Sequence, residues 1–303
     1  MNEPSASDSI HIPVLPREVI QEGSPKEGEI WADGTAGAGG HTLLISQAVG
    51  ESGRVISVDR DPEAVSRLER SASSNVTVVQ GSYHQLGHIL KQLDVPRLDG
   101  VLLDLGLSSD QLEDRARGFS FKDDGELDMR FDQTEGEPVW VWLQYAKEKE
   151  IADSIYQYGE ERFSRRIAKR IVDFRSKQKL RTVAQLRDLI YAAVPGGRRT
   201  GSGRRAHGRI DPATRTFQAL RIVANQELDI LEKALRDIPD LLAPGGRFAV
   251  ISFHSLEDRL VKHAFREDLR LDVQTKKPIQ ATEAEIERNS RARSAKFRVA
   301  TRC

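Results

Sequence analysis

Cysteine is almost absent from this sequence: Cys303, the last of 303 residues, is the only one. A single cysteine excludes an intramolecular disulfide and any zinc site built from several cysteines, and it suits the cytoplasm. There is also no run of about 18 apolar residues, so we expect no membrane span. The opening residues, MNEPSASDSI, lack the apolar centre of a secretion signal. The sequence therefore predicts a cytoplasmic protein without a membrane partner.

Net charge is absent as well, because 46 Lys and Arg balance 46 Asp and Glu. This balance conceals an asymmetry. Residues 109–153 carry 6 basic and 13 acidic side chains, a net charge of −7, whereas residues 154–215 carry 16 and 5, a net charge of +11. A local basic excess of that size indicates a polyanionic partner, with a solvated helix face as the alternative interpretation.

Strand and helix patterns alternate through the first third of the chain and return near its end. Such alternation, with strongly apolar strands, predicts an α/β fold with a parallel sheet covered on both faces. The last two stretches, 271–280 and 295–302, are expected to pair antiparallel at the sheet edge. The predicted strands are residues 29–33, 54–61, 76–83, 98–109 and 243–255, and the predicted helices between them are residues 40–50 and 62–72.

Between these two regions the pattern is helical only, as in residues 162–177 and 182–194. A basic loop at 195–209 leads into one long amphipathic helix, predicted at 214–242. We therefore expect a disordered leader at 1–10, a discontinuous sheet domain and an inserted, partly basic helical domain. The sheet domain is assigned to 11–109 and 214–303, and the insert to 110–213.

The stretch WADGTAGAGGHT (31–42) follows the first predicted strand and is rich in glycine. A phosphate-binding P-loop is disfavoured, because Gly40 stands where its lysine is required. A dinucleotide fingerprint starting at Gly37 fails at Thr42, where a third glycine or alanine is needed for close packing. The glycines therefore indicate a ligand that approaches bare backbone but needs no lysine.

Acidic residues follow the predicted strands, with Asp33 before the glycines, Asp59 after the second strand and Asp104 after the fourth. A carboxylate at the position of Asp59 can accept bonds from both hydroxyls of a ribose. Asp33 and Asp104 would suit the sulfonium and ammonium groups of S-adenosyl-L-methionine. The pattern is the adenosyl-binding arrangement of class I (Rossmann-like) methyltransferases, so we predict this cofactor.

The sequence resembles a known family, the bacterial 16S ribosomal RNA cytosine-N4 methyltransferases. The similar stretches run almost from end to end and several are long. They include DGTAGAGGH (33–41), DLGLSSDQL (104–112), YGEERFSRRIAKRIV (158–172), PATRTFQALRI (212–222), ISFHSLEDR (251–259) and RSAKFRVA (293–300).

The resemblance implies a class I methyltransferase domain with an inserted helical domain, and methylation of N4 of a cytidine in the decoding centre of 16S rRNA. Two positions depart from the family's usual residues: Tyr83 replaces Phe, which keeps a ring beside the adenine, and Asp211 replaces a frequent His. The cofactor contacts that it implies are Gly39, Gly40, His41, Asp59, Tyr83, Asp104 and Gln111.

For catalysis we expect Asp104, with Ser108 or Ser109, to lie nearest the acceptor amine; Asp104 serving mainly the cofactor is the alternative. The Asn/Asp-Pro-Pro-aromatic motif of many amine methyltransferases is missing, so N4 specificity follows from the resemblance alone. His254 lies at the same predicted edge and is either functional or packed. No metal-binding spacing and no nucleophile elbow are present.

The insert is expected to bind 16S rRNA within the small ribosomal subunit, through phosphate contacts. A small-molecule methyltransferase and a non-catalytic assembly factor are the rival interpretations, and a homodimer is one of the oligomeric states left open. The candidate RNA contacts are Arg165, Arg166, Lys169 and Arg170 on a helix and Arg198, Arg199, Arg204, Arg205 and Arg209 in the basic loop.

Overall fold

The computed structural model of the chain describes residues 12–195 and 211–303, with the exception of the Ser109 side chain. The chain divides into two compact units, one formed by residues 1–109 with 230–303 and the other by residues 110–229. The chain thus returns to the first unit at Ile230, sixteen residues after the expected boundary at 214. The predicted leader (1–10) and all five arginines of the basic loop lie outside the described residues.

The first unit holds a seven-stranded sheet in the order β3-β2-β1-β4-β5-β7-β6. Neighbouring strands from β3 to β5 are parallel, and β7 runs antiparallel to both β5 and β6. Both the predicted parallel sheet and the antiparallel edge pair are therefore confirmed. The strands are β1 (Ile30–Asp33), β2 (Arg54–Asp59), β3 (Val76–Gln80), β4 (Leu98–Asp104), β5 (Leu242–Ser252), β6 (Leu271–Val273) and β7 (Lys296–Arg302).

Helices cover the sheet on both faces, because alternate residues of each strand point to opposite sides. On β4, Val101 and Leu103 belong to one buried cluster, while Leu102 between them belongs to the other. The helices described before β4 and after β5 are α1 (Pro16–Gly23), α2 (Gly40–Val49), α3 (Pro62–Ser71), α4 (Leu86–Gln92), α12 (Ser255–Glu267) and α13 (Glu283–Arg288), with 3-10 helices at Tyr83–Gln85 and Ser290–Ser294. A further 3-10 helix, Ile238–Leu241, directly precedes β5.

The second unit is helical, and its core is aliphatic, with Ile155, Ile167 and Leu186 fully buried. The helices described between β4 and β5 are α5 (Ser109–Glu113), α6 (Val139–Tyr145), α7 (Glu148–Gly159), α8 (Ser164–Arg175), α9 (Val183–Ala193), α10 (Pro212–Asn225) and α11 (Glu227–Asp237). Most of α11 belongs to the first unit, where Leu231 and Leu235 lie in the core of the sheet.

The single helix predicted at 214–242 is wrong, because the chain breaks between α10 and α11. Gln226 adopts a left-handed conformation (φ 52°). The adjacent Asn225 side chain donates to the carbonyls of Met129 and Arg221 and accepts from the amide of Phe131. These tertiary bonds hold the end of α10 and override the helical periodicity on either side of it.

Five predicted strands extend past the observed strand ends, among them the third and the fourth. The third ends at Gln80 rather than residue 83, since Ser82 and Gln85 form a capping box around the 3-10 helix. The fourth ends at Asp104 rather than residue 109. Sequence patterns also missed α4, α12, α13 and α1, the last of which begins with Pro16 at a favoured position. None of the helices in the described ranges is long and apolar enough to cross a membrane.

Candidate active site

The glycine loop, residues 34–39, connects β1 to α2 at the carboxyl edge of the sheet. Gly39 adopts φ 83° and caps α2, a conformation that favours glycine. A Cβ on Gly34 would lie 2.7 Å from the Cβ of Tyr83 and 2.5 Å from the Leu103 side chain. The absence of a side chain at Gly34 therefore lets the loop pack directly against the turn that carries Tyr83.

Asp33 lies beneath the glycine loop and is only 1% exposed. One carboxylate oxygen accepts from the Thr42 hydroxyl (2.7 Å) and the other from the Thr35 amide (3.1 Å). Burial raises the pKa of this carboxyl group, while the charge of His41 and the bond from Thr42 oppose the rise. These contacts show that Asp33 holds the loop in shape, and a direct contact with the cofactor stays a prediction.

Asp59 ends β2 and holds two parts of the site together. Its Oδ2 accepts from the Gly37 amide at 2.7 Å, and its Oδ1 accepts from the Asp61 amide at 2.9 Å. Burial raises the pKa of Asp59 to about 6 in spite of both bonds. Each carboxylate oxygen has a further lone pair, so the group can still accept bonds from ribose hydroxyls.

His41 and Asp104 meet across the reversal point of the sheet, where β1 and β4 are neighbours. The His41 Nε2 lies 3.5 Å from the Asp104 Oδ2. Both ring nitrogens of His41 and the Oδ1 of Asp104 are buried without a hydrogen-bond partner in the part of the chain that the structure describes. Buried polar atoms normally have partners, so this edge fits a polar, cationic ligand such as the methionine end of S-adenosylmethionine.

Tyr83 and Gln111 were predicted to contact the same cofactor. Tyr83 is the first residue of the 3-10 helix after β3, is partly buried, and lies against Gly34. This location is compatible with a ring beside the adenine. Gln111 is a buried residue of α5 in the second unit, and its contact with the cofactor remains a prediction.

We call the loop after β4, residues 105–108, the acceptor loop, because Asp104 and Ser108 were predicted to lie nearest the acceptor amine. Its first residue still bonds to the sheet, with the Leu105 amide donating to the carbonyl of Ile251 at 3.0 Å. A Cβ on Gly106 would lie 2.7 Å from the Phe253 ring, and a Cβ on Gly37 would lie 3.6 Å from the Ser108 Cβ. The structure thus brings Ser108 close to the glycine loop, and a role of Ser108 on the acceptor side stays a prediction.

His254 has a structural role at the start of α12. It is the N-cap of α12: its Nδ1 accepts from the Glu257 amide (3.4 Å), and the buried Glu257 carboxylate accepts from the His254 amide (3.2 Å). The Nε2 lies 3.1 Å from the Glu257 Oε1. The cap accounts for Nδ1, but Nε2 is buried without a hydrogen-bond partner in the described residues, so a functional role for His254 stays a prediction.

Two threonines of the site were missed in the sequence. The Thr35 hydroxyl accepts from the Asp104 amide at 2.6 Å, and the buried Thr42 hydroxyl lies 3.0 Å from the Ser57 hydroxyl as well as bonding to Asp33. Both lie within the motif DGTAGAGGHT. Their place in the motif that follows Asp33 was the available signal, although only the Thr42 hydroxyl bonds to a carboxylate, whereas the Thr35 hydroxyl bonds to the backbone amide of Asp104.

The four predicted basic residues of α8 are exposed: Arg165, Arg166, Lys169 and Arg170. Only Lys169 has an ion pair within the described ranges, at 3.3 Å from Asp173. The guanidinium of Arg166 lies over the Phe163 ring, 5.6 Å from its centroid. Glu161 does not pair with them but with Arg215, and it also accepts from the Phe163 amide. This helix therefore presents cationic groups to solvent.

The strand order, the glycine loop and the acidic strand ends together define a class I methyltransferase whose methyl donor is S-adenosylmethionine. Within that class, the chain belongs to the MraW methylase family, whose sequence profile matches residues 8–303. The fold and cofactor expected from the resemblance are thereby confirmed.

Curated relatives are similar over nearly their whole length. A protein of Rhodopirellula baltica is 48% identical, and the alignment covers 98% of this chain and 93% of the relative. One of Sorangium cellulosum is 47% identical over 96% and 90%, and one of Deinococcus radiodurans is 44% identical over 99% and 92%. All three are named Ribosomal RNA small subunit methyltransferase H.

Proposed function

We propose that this chain transfers a methyl group from S-adenosylmethionine to the exocyclic N4 amine of a cytidine in the decoding centre of 16S rRNA. The observation that carries this proposal is full-length similarity, at 44–48% identity, to proteins named for methylation of small-subunit ribosomal RNA. The resemblance to cytosine-N4 methyltransferases along the acceptor loop and α8 supplies the choice of base. The target cytidine has to be unpaired or flipped out of its stack to be reached.

The reaction places specific demands on the acceptor side. S-adenosylmethionine supplies an electrophilic methyl group, and the amine is a poor nucleophile because its lone pair is delocalised into the ring. Positioning the amine in line with the methyl group should therefore provide much of the acceleration. Positive charge develops on the amine during transfer, and a carboxylate aimed at its N–H groups would stabilise that charge.

We assign that part to Asp104, with Ser108 or Ser109 as the further residue expected near the acceptor amine. The Asp104 carboxylate is partly buried at the end of β4, and its Oδ1 has no hydrogen-bond partner within the described residues. The His41 ring approaches the other oxygen. In this arrangement Oδ1 can accept a hydrogen bond from the amine while Oδ2 faces His41. The alternative, that Asp104 serves mainly the cofactor, is separated from this one by the kinetics of an Asn variant.

RNA binding by α8 is the second part of the proposal. Its four basic residues are exposed, and three of them have no carboxylate partner in the described part of the chain. Uncompensated cations of this kind bind phosphates by releasing counterions. The basic loop would add to this surface, but its residues lie outside the described ranges. We expect the cofactor to bind independently of these contacts.

The test is to incubate the protein with S-adenosylmethionine tritiated in the methyl group and small ribosomal subunits from cells that lack the enzyme. The RNA is then digested and the labelled nucleoside identified. We expect N4-methylated cytidine from a single site. Label in another nucleoside or only in small molecules would refute the proposal, and absence of transfer despite cofactor binding would favour a non-catalytic assembly factor. Naked 16S rRNA in parallel shows whether the assembled subunit is required.

A further inference from the structure

The acceptor loop is held from outside by a residue far along the chain. Arg291 lies 184 residues after Leu107, and its guanidinium donates a hydrogen bond to the Leu107 carbonyl. Beyond Leu105, whose amide makes a bond to β5, the loop leaves the sheet. Loop segments without hydrogen bonds to the rest of the fold open easily. The bond from Arg291 to the Leu107 carbonyl should therefore keep the loop closed.

The segment that carries Arg291 is itself well anchored. The side chain of Asn289 caps the 3-10 helix Ser290–Ser294 by accepting from the Arg291 amide at 3.2 Å, and it donates to the carbonyl of Ile12 at 3.0 Å. Ala292 and Ala295 are buried in the core on that face of the sheet. Arg291 is partly buried on this anchored 3-10 helix. Its side chain can therefore restrain the acceptor loop, because the helix that carries it is fixed to the core.

The loop is restrained on its other side by packing. Gly106 touches the Phe253 ring so closely that any Cβ would be 2.7 Å from it. The carbonyl of the next residue, Leu107, accepts the bond from Arg291. The residue after Leu107 is Ser108, which lies beside Gly37 of the glycine loop. The three contacts follow one another along three consecutive residues. Together they set the distance between the acceptor loop and the loop that holds the donor.

We propose that Arg291 is a positioning residue for methyl transfer, which holds the acceptor loop against the glycine loop through the carbonyl of Leu107. It touches neither the cofactor nor the base in this role. An arginine suits the task, because its guanidinium is always charged and offers several donors in a rigid plane. The effect on turnover rests on the proposed function, whereas the restraint on the loop does not.

Arg291→Ala should slow single-turnover methylation of small subunits by about tenfold or more, since a displacement of about 1 Å can cost that much. Cofactor affinity should stay within about threefold of the parent, because the glycine loop and Asp59 are untouched. Arg291→Lys should recover part of the rate, as it keeps a cationic donor. Arg293→Ala is the matched control: it is exposed in the same 3-10 helix and has no partner among the described residues.

Hydrogen exchange provides a readout that does not depend on the substrate. In Arg291→Ala, a peptide covering 105–108 should exchange faster, while the peptide covering β4 should not change. A parent-like methylation rate, or equal losses of rate and cofactor affinity together with a lower melting temperature, would overturn the positioning role. If the parent methylates no cytidine but the loop still loosens in the variant, the proposed function fails and the restraint stands.

Discussion

Removal of the Asp59 carboxylate should weaken cofactor binding more than any other single change at the end of β2. In Asp59→Ala, two charge-assisted hydrogen bonds to the ribose hydroxyls would be lost. Their combined contribution is about 2–4 kcal/mol, which corresponds to a roughly 30-fold to 900-fold higher Kd. The Gly37 and Asp61 amides would also lose their acceptors, so some loss of stability should accompany the loss of affinity.

The effect on stability can be separated from the effect on binding. Asp59→Asn keeps the shape and one acceptor oxygen but removes the charge, so the fold should be retained while binding weakens. Asp99→Ala is a control on β4: its carboxylate accepts from the Ile30 amide at 2.8 Å, far from the strand ends that form the site. That variant should lower the melting temperature without changing the Kd.

The pH dependence gives an independent check. Burial raises the pKa of Asp59 to about 6 in the free protein, and ribose hydroxyls bond best to the ionised form. Affinity should therefore be constant above about pH 7 and should fall as the pH drops through 6, approaching about tenfold per pH unit. In Asp59→Asn this dependence should disappear.

Isothermal titration calorimetry from pH 5 to 8 measures both effects on the same preparations. An unchanged Kd in Asp59→Ala would remove this residue from the cofactor site. A parent Kd that is flat across this range, or an Asn variant that keeps the pH dependence, would show that another group titrates instead. Asp33 is the first alternative, because burial raises its pKa too.

Three further predictions concern the acceptor, the RNA surface and the glycine loop. Asp104→Asn should sharply reduce single-turnover methylation with little change in melting temperature, because a negative charge beside the developing cation is lost. Alanine at all four basic residues of α8 should weaken RNA binding and flatten its salt dependence by about one unit per lost phosphate contact, with cofactor affinity unchanged. Gly34→Ala should cost about 1–3 kcal/mol in urea unfolding, because its Cβ would collide with Tyr83. Gly87→Ala, a helical position with only ordinary contacts, should be neutral or stabilising.

Each of these has an outcome that contradicts it. Parent-like turnover in Asp104→Asn would remove the catalytic role, and a loss confined to cofactor affinity would make the residue part of the donor site. A normal salt slope in a folded quadruple variant of α8 would eliminate the RNA contacts. Equal stabilities of the two glycine variants would mean that the turn at Tyr83 moves without cost.

Local sequence was sufficient to locate the strands approximately and to locate the acidic residues at their ends. The apolar strands, the glycine loop and the carboxylates at Asp33, Asp59 and Asp104 can be identified from residues that are close in sequence, because strand periodicity and turn chemistry act over a few residues. The same local signals also place α2, α8 and α9 to within about two residues. These features were predicted and the structure has them.

Only the tertiary structure decided how distant residues combine. His41 meets Asp104 because β1 and β4 are neighbours in the sheet, and Arg291 meets Leu107 because the C-terminal segment returns to the acceptor loop. The break at Gln226 likewise follows from bonds that Asn225 makes to residues almost a hundred positions earlier. The helical pattern of apolar residues continues through that break. This pattern shows which positions are buried, but it contains no information on the hydrogen bonds that distant residues make to the end of the helix. Contacts of this kind depend on strand order and chain return, which no local pattern encodes.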